Sequence, residues 1–145
     1  MKKSAILLLF MLSMASYCRS QDVIYLTQEQ FILRVMDYKH YNPEEGFKFV
    51  GDKPCVIDFY TTWCGPCKRL APIMEELSQT YCEQVRFYKV DTERERELAA
   101  FFRISSIPQV LYIPLYGEPI LLKGLYPQDK IVEIIETYLL AVSTK

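Results

Sequence analysis

Histidine is almost missing from this chain: His40 is the only one in 145 residues. A Cys–His hydrolase is therefore an unattractive reading, because His40 sits in a loop and no other histidine could serve as base. A structural zinc site is also short of ligands, since zinc normally takes four and the chain offers one Cys-x-x-Cys, scattered further cysteines and a loop histidine. No metal and no other cofactor is expected, and His40 reads as polar surface. A basic excess is missing too. Lys and Arg number 17 against 18 Asp and Glu, with no basic patch, so nucleic acid is not an expected partner. After the N-terminus no apolar stretch has the length of a membrane span. Internal repeats and low-complexity tracts are absent, which excludes solenoid architectures.

The one long apolar run stands at the start. Lys2 and Lys3 precede Ala5 to Ala15, interrupted only by Ser13, and polar residues return from Arg19. That run is too short for a bilayer span and has the length of a signal-peptide core. A buried first helix fits poorly, because the run is apolar on every side. Cys18 and Ser20 are small residues at the −3 and −1 positions of a cleavage after Ser20. Lipidation at Cys18 ranks second, since Tyr17 is bulky where such a site wants a small residue. Residues 1–20 are thus read as a signal peptide and 21–145 as one domain. Loss of Lys2, Lys3 and Arg19 leaves 14 basic against 18 acidic residues, a net charge of −4.

Periodicity predicts the elements. Val23 to Leu26 is a short strand, and Thr27 with Gln30 forms a capping box before a helix whose apolar face is Phe31, Ile32, Val35 and Met36. His40 to Pro54 is a loop. Cys55 to Thr61 is a nearly continuous apolar run, as in a strand covered on both faces. Helical spacing returns from Cys64 to Tyr81, with Pro72 inside it. Val85 to Val90 is a strand, and Glu93 to Phe102 a helix whose Glu and Arg residues are expected to face water. Val110 to Ile113 and Ile120 to Lys123 bracket Gly117 as a hairpin. Pro127 opens a last helix with Ile131, Ile134, Ile135, Tyr138 and Leu139 on one face. The order βα, βαβ, α, ββα predicts an α/β fold, a central mixed five-stranded sheet flanked by helices on both faces.

Chemistry concentrates where the second strand meets its helix. Cys64 and Cys67 stand two residues apart at a helix start, the arrangement used for dithiol–disulfide exchange. The helix N-terminus favours thiolate over thiol. Asp58 interrupts the buried strand, and burial raises a carboxyl pKa. Cys55 reads as a small core residue, and Cys82, near the helix end, as partly exposed. A Cys55–Cys82 bridge stays open, because sequence supplies no distance test.

The tract Trp63-Cys64-Gly65-Pro66-Cys67-Lys68, with Asp58-Phe59 before it and Ile107-Pro108 forty-four positions after Cys64, resembles the thioredoxin family. The likeness covers about Val23 to Leu140, with no insertion between Asp58 and Pro108, which argues against the larger membrane-anchored relatives of cytochrome maturation. The resemblance implies a thioredoxin fold and a protein-disulfide reductase. Cys64 would be the nucleophile and Cys67 the resolving cysteine. Asp58 would serve deprotonation of Cys67, with Lys89 near it and Gly65-Pro66 tuning the pair. Trp63 would shield the sulfurs and offer an apolar surface. Pro108 would follow a cis bond, leaving the Ile107 backbone to pair with an extended client. Gly124 would let the client approach. Gln109, in place of a more usual threonine, and the hairpin from Leu115 to Pro119 depart from the pattern.

Gly65-Pro66 is the pair typical of reductants in this family, whereas oxidases and isomerases usually carry a histidine there. Those activities are the alternative within the enzyme class, and a non-catalytic binding subunit is the alternative outside it. The expected partners are disulfide-containing client proteins and, for an exported reductant out of reach of cytosolic reductases, an electron-donating membrane thiol relay. A monomer in the bacterial periplasm is expected.

Overall fold

The computed structural model describes residues 22–141; the expected signal segment, with Cys18, lies outside them. Strand β1 is Ile24–Tyr25 and helix α1 is Gln28–Arg34. Two 3-10 turns follow, Tyr38–His40, which ends where the expected loop begins, and Pro43–Glu45 inside it. Then come β2, Cys55–Tyr60; α2, Gly65–Thr80; β3, Arg86–Asp91; and α3, Arg96–Phe101. Strands β4, Gln109–Ile113, and β5, Ile120–Lys123, form the hairpin. Helix α4, Gln128–Ile134, follows and continues as π-helix over Ile135–Leu140.

The strands make one sheet in the order β1-β3-β2-β4-β5. β3 lies parallel to both β1 and β2, while β4 runs antiparallel to β2 and β5. Side chains of a strand alternate between faces, and two cores result. On one face Val56, Phe87, Val110 and Tyr112 meet Leu70, Met74 and Leu77 of α2 and Ile131 and Ile134 of α4. On the other, Ile57, Phe59, Val90 and Leu111 meet Phe31 of α1 and Leu98 of α3. β2 is therefore covered on both sides, which is why it reads as an unbroken apolar run.

Local chemistry explains the element ends. The capping box of α1 forms: the Gln30 N–H donates to Thr27 Oγ1 at 3.3 Å and the Thr27 N–H to Gln30 Oε1 at 3.2 Å. Pro72 lies on the exposed side of α2. It cannot donate to the Lys68 carbonyl, and Lys68 is itself an exposed residue.

Three expectations change, and one open question, the Cys55–Cys82 bridge, closes with Cys55 in the core as read. The charged residues around α3 do not all face water, because Glu95 Oε2 accepts the Gln28 N–H at 2.9 Å and so caps α1 from outside. Cys82 is buried, since the chain turns back at Tyr81, whose carbonyl accepts the N–H groups of Gln84 and Val85. Cys55 is a free, fully buried thiol, so it makes no bridge to Cys82. The last helix is α-helical only to Ile134, and its π-helical turns lie against β4, where Tyr112 is the largest fully buried side chain.

Candidate functional site

Cys64 is the N-cap of α2. Its backbone is extended (φ −72°, ψ 112°), its sulfur accepts the Cys67 N–H at 3.2 Å, and its carbonyl accepts the Lys68 N–H at 3.1 Å. Pro66, in the first turn, has no N–H to leave unpaired there. The sulfur thus receives the positive end of a 16-residue helix, a setting that favours thiolate. It is joined to Cys67 in a disulfide with the Cα atoms 5.3 Å apart, and both cysteines are buried.

Asp58 belongs to the strand that leads into the pair. Its side chain is on the face of β2 that α2 covers, and Cys67 begins the buried face of α2, followed by Leu70, Met74 and Leu77. Asp58 is 0% exposed and neither carboxylate oxygen has a hydrogen-bond donor among the described residues. Burial pushes its carboxyl up to about 7, with the Lys89 charge pulling the other way. A group half ionised near neutral pH both takes and returns protons.

Lys89 pairs with Asp58 in the parallel register of β2 and β3 and is buried, against the alternative of a surface lysine. Its Nζ lies 4.6 Å from the centroid of the Tyr60 ring and 5.4 Å from that of Tyr25. Those rings hold the cation through their π faces. The two tyrosines went unread in the sequence, where they look like ordinary strand residues.

The other candidate residues lie in the loop into β4 and at its partner strand. The Ile107–Pro108 bond is cis. Pro108 is buried, Ile107 half-buried, and Ser105 and Ser106 exposed. The Gly124 N–H donates to the Pro108 carbonyl at 2.8 Å, and Lys123 Nζ to Ser105 Oγ at 3.2 Å. Gly124 has φ +97°, a conformation that suits glycine, and a Cβ built there would meet nothing within 4 Å. Gln109 is fully buried and its Nε2 donates to the Ser106 carbonyl at 2.8 Å. Trp63 is 66% exposed, an open apolar surface beside Cys64, with its Nε1–H donating to Glu93 Oε1 at 3.0 Å. Glu93 is a further residue the sequence did not single out.

Asp58 and Lys89 are register partners on the face of the sheet that α2 covers, and the cysteine pair opens that helix. Trp63 is next to Cys64 in the chain, and Pro108 and Gly124, joined by the bond from the Gly124 N–H to the Pro108 carbonyl, form a separate edge at β4 and β5 with Ile107 beside them. Among the described residues no three His, Cys, Asp or Glu side chains are grouped as metal ligands, and no helix is long and apolar enough to cross a membrane.

A family model described as "Thioredoxin" matches residues 37–137. The chain is 42% identical over 115 residues to the thioredoxin of Borreliella burgdorferi, covering 79% of this chain and 96% of that one. It is 38% identical over 85 residues to the thioredoxin of Staphylococcus saprophyticus, covering 58% of this chain and 81% of that one. A solved structure of chloroplastic thioredoxin z superposes with a TM-score of 0.66 at 24% identity, over 80% of this chain and 93% of the other, a likeness of fold.

Proposed function

This chain belongs to the thioredoxin family, and on that premise we propose that it is an exported reductant of protein disulfides working through Cys64 and Cys67. Thioredoxins are thiol–disulfide oxidoreductases, and the coarser activity, thioredoxin-type disulfide reduction, follows from membership. The observation that carries the finer reading is the Cys64 sulfur, held at the N-terminus of α2 within bonding distance of Cys67.

In the reduced protein the Cys64 thiolate attacks one sulfur of a client disulfide. The client S–S bond breaks, one client sulfur leaves as thiolate, and a mixed disulfide forms. Cys67 gives its proton to Asp58 and its thiolate attacks the Cys64 sulfur. The second client sulfur leaves, and the oxidised Cys64–Cys67 pair remains. Two electrons have passed to the client, and a thiol donor must return them. For an exported chain that donor is a membrane thiol relay. Gly65-Pro66 between the cysteines favours a reductant over an oxidase or isomerase, since no histidine charge is there to stabilise the reduced form.

Insulin reduction tests the roles. Cys64→Ser should abolish it and Cys67→Ser should accumulate mixed disulfides with clients; full turnover by Cys67→Ser would show the roles to be wrong. Export is tested by the mass of the protein recovered from a host's periplasmic fraction. A chain beginning at Gln21 is expected, and a full-length chain confined to the cytosol refutes export.

A further inference from the structure

We infer that Gln109 is a positioning residue for client binding, its buried amide gripping the Ser106 carbonyl so that the Ile107 N–H of the same peptide unit faces an incoming client strand. The inference rests on the reductase reading above and adds to it what orients the docking edge.

Gln109 is the odd residue in β4. Its neighbours Val110, Leu111, Tyr112 and Ile113 are buried, and it is itself 0% exposed. Its side chain is on the Phe59 and Leu111 face, opposite to Asp58, so it takes no part in the proton chemistry. Nε2 donates to Ser106 O at 2.8 Å and lies 3.4 Å from Ser106 Oγ. The amide must face this way round, because its oxygen against the Ser106 carbonyl would set two acceptors together. Oε1 has no partner among the described residues. A buried amide with an unmet acceptor costs stability that a leucine or methionine would not. What the residue gains in return is a hold on the loop.

The geometry of the peptide bond supplies the consequence. Ser106 C=O and Ile107 N–H belong to one trans, planar unit and point in opposite directions. With the carbonyl drawn in to a buried amide, the N–H is turned outward. That N–H makes no hydrogen bond among the described residues, and Ile107 is half-buried beside exposed Ser106. It is a donor fixed in direction and left for an extended backbone to accept. The bonds from Lys123 to Ser105 and from Gly124 to the Pro108 carbonyl hold the flanks of the same loop.

Gln109→Met separates docking from chemistry, because methionine fills a similar volume and cannot donate. Two probes are used with the reduced mature chain: insulin, which presents backbone around its disulfides, and 5,5′-dithiobis(2-nitrobenzoate), which has none. KM for insulin should rise about three- to tenfold, the worth of one such hydrogen bond. Its kcat and the rate with the small disulfide should stay at the wild-type value. Equal losses on both probes would mean a general loosening and overturn the inference, as would no change on either. A wild-type chain that reduces neither probe refutes the reductase reading instead. If methionine unfolds the strand, Gln109→Leu serves, being similar in volume, apolar and unable to donate to Ser106; the same split between probes is required of it.

Discussion

Asp58 and Lys89 are direct register partners across β2 and β3, both buried, yet the Lys89 ammonium lies over the rings of Tyr60 and Tyr25 and donates to neither Asp58 oxygen. The acid therefore has a positive charge nearby to moderate it and no bonded partner to neutralise it. Full pairing would pull a carboxyl below its usual range. Here burial dominates and leaves Asp58 at about 7, able to exchange its proton at neutral pH.

Replacing Asp58 with Asn should make stability less dependent on pH. The folded carboxyl titrates near 7 and its ordinary value is 3.8. Between those values the folded state holds a proton that the unfolded chain has released, so stability falls as pH rises through the window. Asn removes that fall. At pH 8 the variant should be more stable by about 2–3 kcal/mol, which is the carboxylate's penalty less the cost of a buried amide. At pH 4 the advantage should vanish. Resolution by Cys67 should slow near neutral pH. Urea denaturation at the two pH values, beside insulin reduction, makes the measurement; an unchanged pH slope would sink the buried-acid reading.

Lys89→Met should move the acid limb of the activity profile to higher pH. Lysine's charge lowers the Asp58 pKa, and without it the carboxylate form is reached later. Methionine can lie against the Tyr25 and Tyr60 rings through its sulfur, so the fold should hold. Insulin reduction should fall more at pH 6.5 than at pH 8.5. A profile that merely drops by a constant factor would assign Lys89 to packing alone.

Pro66→His should raise the reduction potential. A cation beside the Cys64 sulfur stabilises the thiolate and with it the reduced form. The wild-type pair is expected near the roughly −270 mV of thioredoxin, well below the roughly −120 mV of a strong exported oxidant. That gap is about 7 kcal/mol for two electrons. Equilibration with glutathione, followed by alkylation and mass measurement, reads both proteins. A wild-type value above about −180 mV would make the protein an isomerase or oxidase.

Tyr112→Phe should stabilise the protein by about 1 kcal/mol. The Tyr112 hydroxyl is fully buried and has no partner among the described residues, and burial raises its pKa, with Tyr126 and Asp58 adding to the shift. Phenylalanine keeps the ring and removes the unmet polar group. A lower thermal midpoint would show instead that the hydroxyl is bonded.

Much of the fold was legible because its signals are local. A capping box spans four residues, a covered strand shows as an apolar run, and the helix after Cys64 repeats at 3.6 residues; each needs only neighbours along the chain. The same holds for the cysteine pair, whose spacing and helix-start position carry its chemistry. Asp58 was also readable, since a carboxylate inside an apolar strand stands out without any partner being known. The π-helical turns after Ile134 were not legible, because the residues that make them keep an ordinary helical pattern. Nor were Tyr25 and Tyr60 around Lys89, Glu95 on the Gln28 amide, or Gln109 on the Ser106 carbonyl. Lys89 and Gln109 were each noticed as residue types, but what they touch depends on which strands lie side by side and in what register. The sequence by itself determined the cysteine pair at its helix start, the buried acid and the order of elements, because local hydrogen bonds and periodicity decide them. Only the tertiary structure decided that Lys89 turns to two aromatic rings and that Gln109 turns to the loop, because those choices are made between segments that meet only when the sheet is assembled.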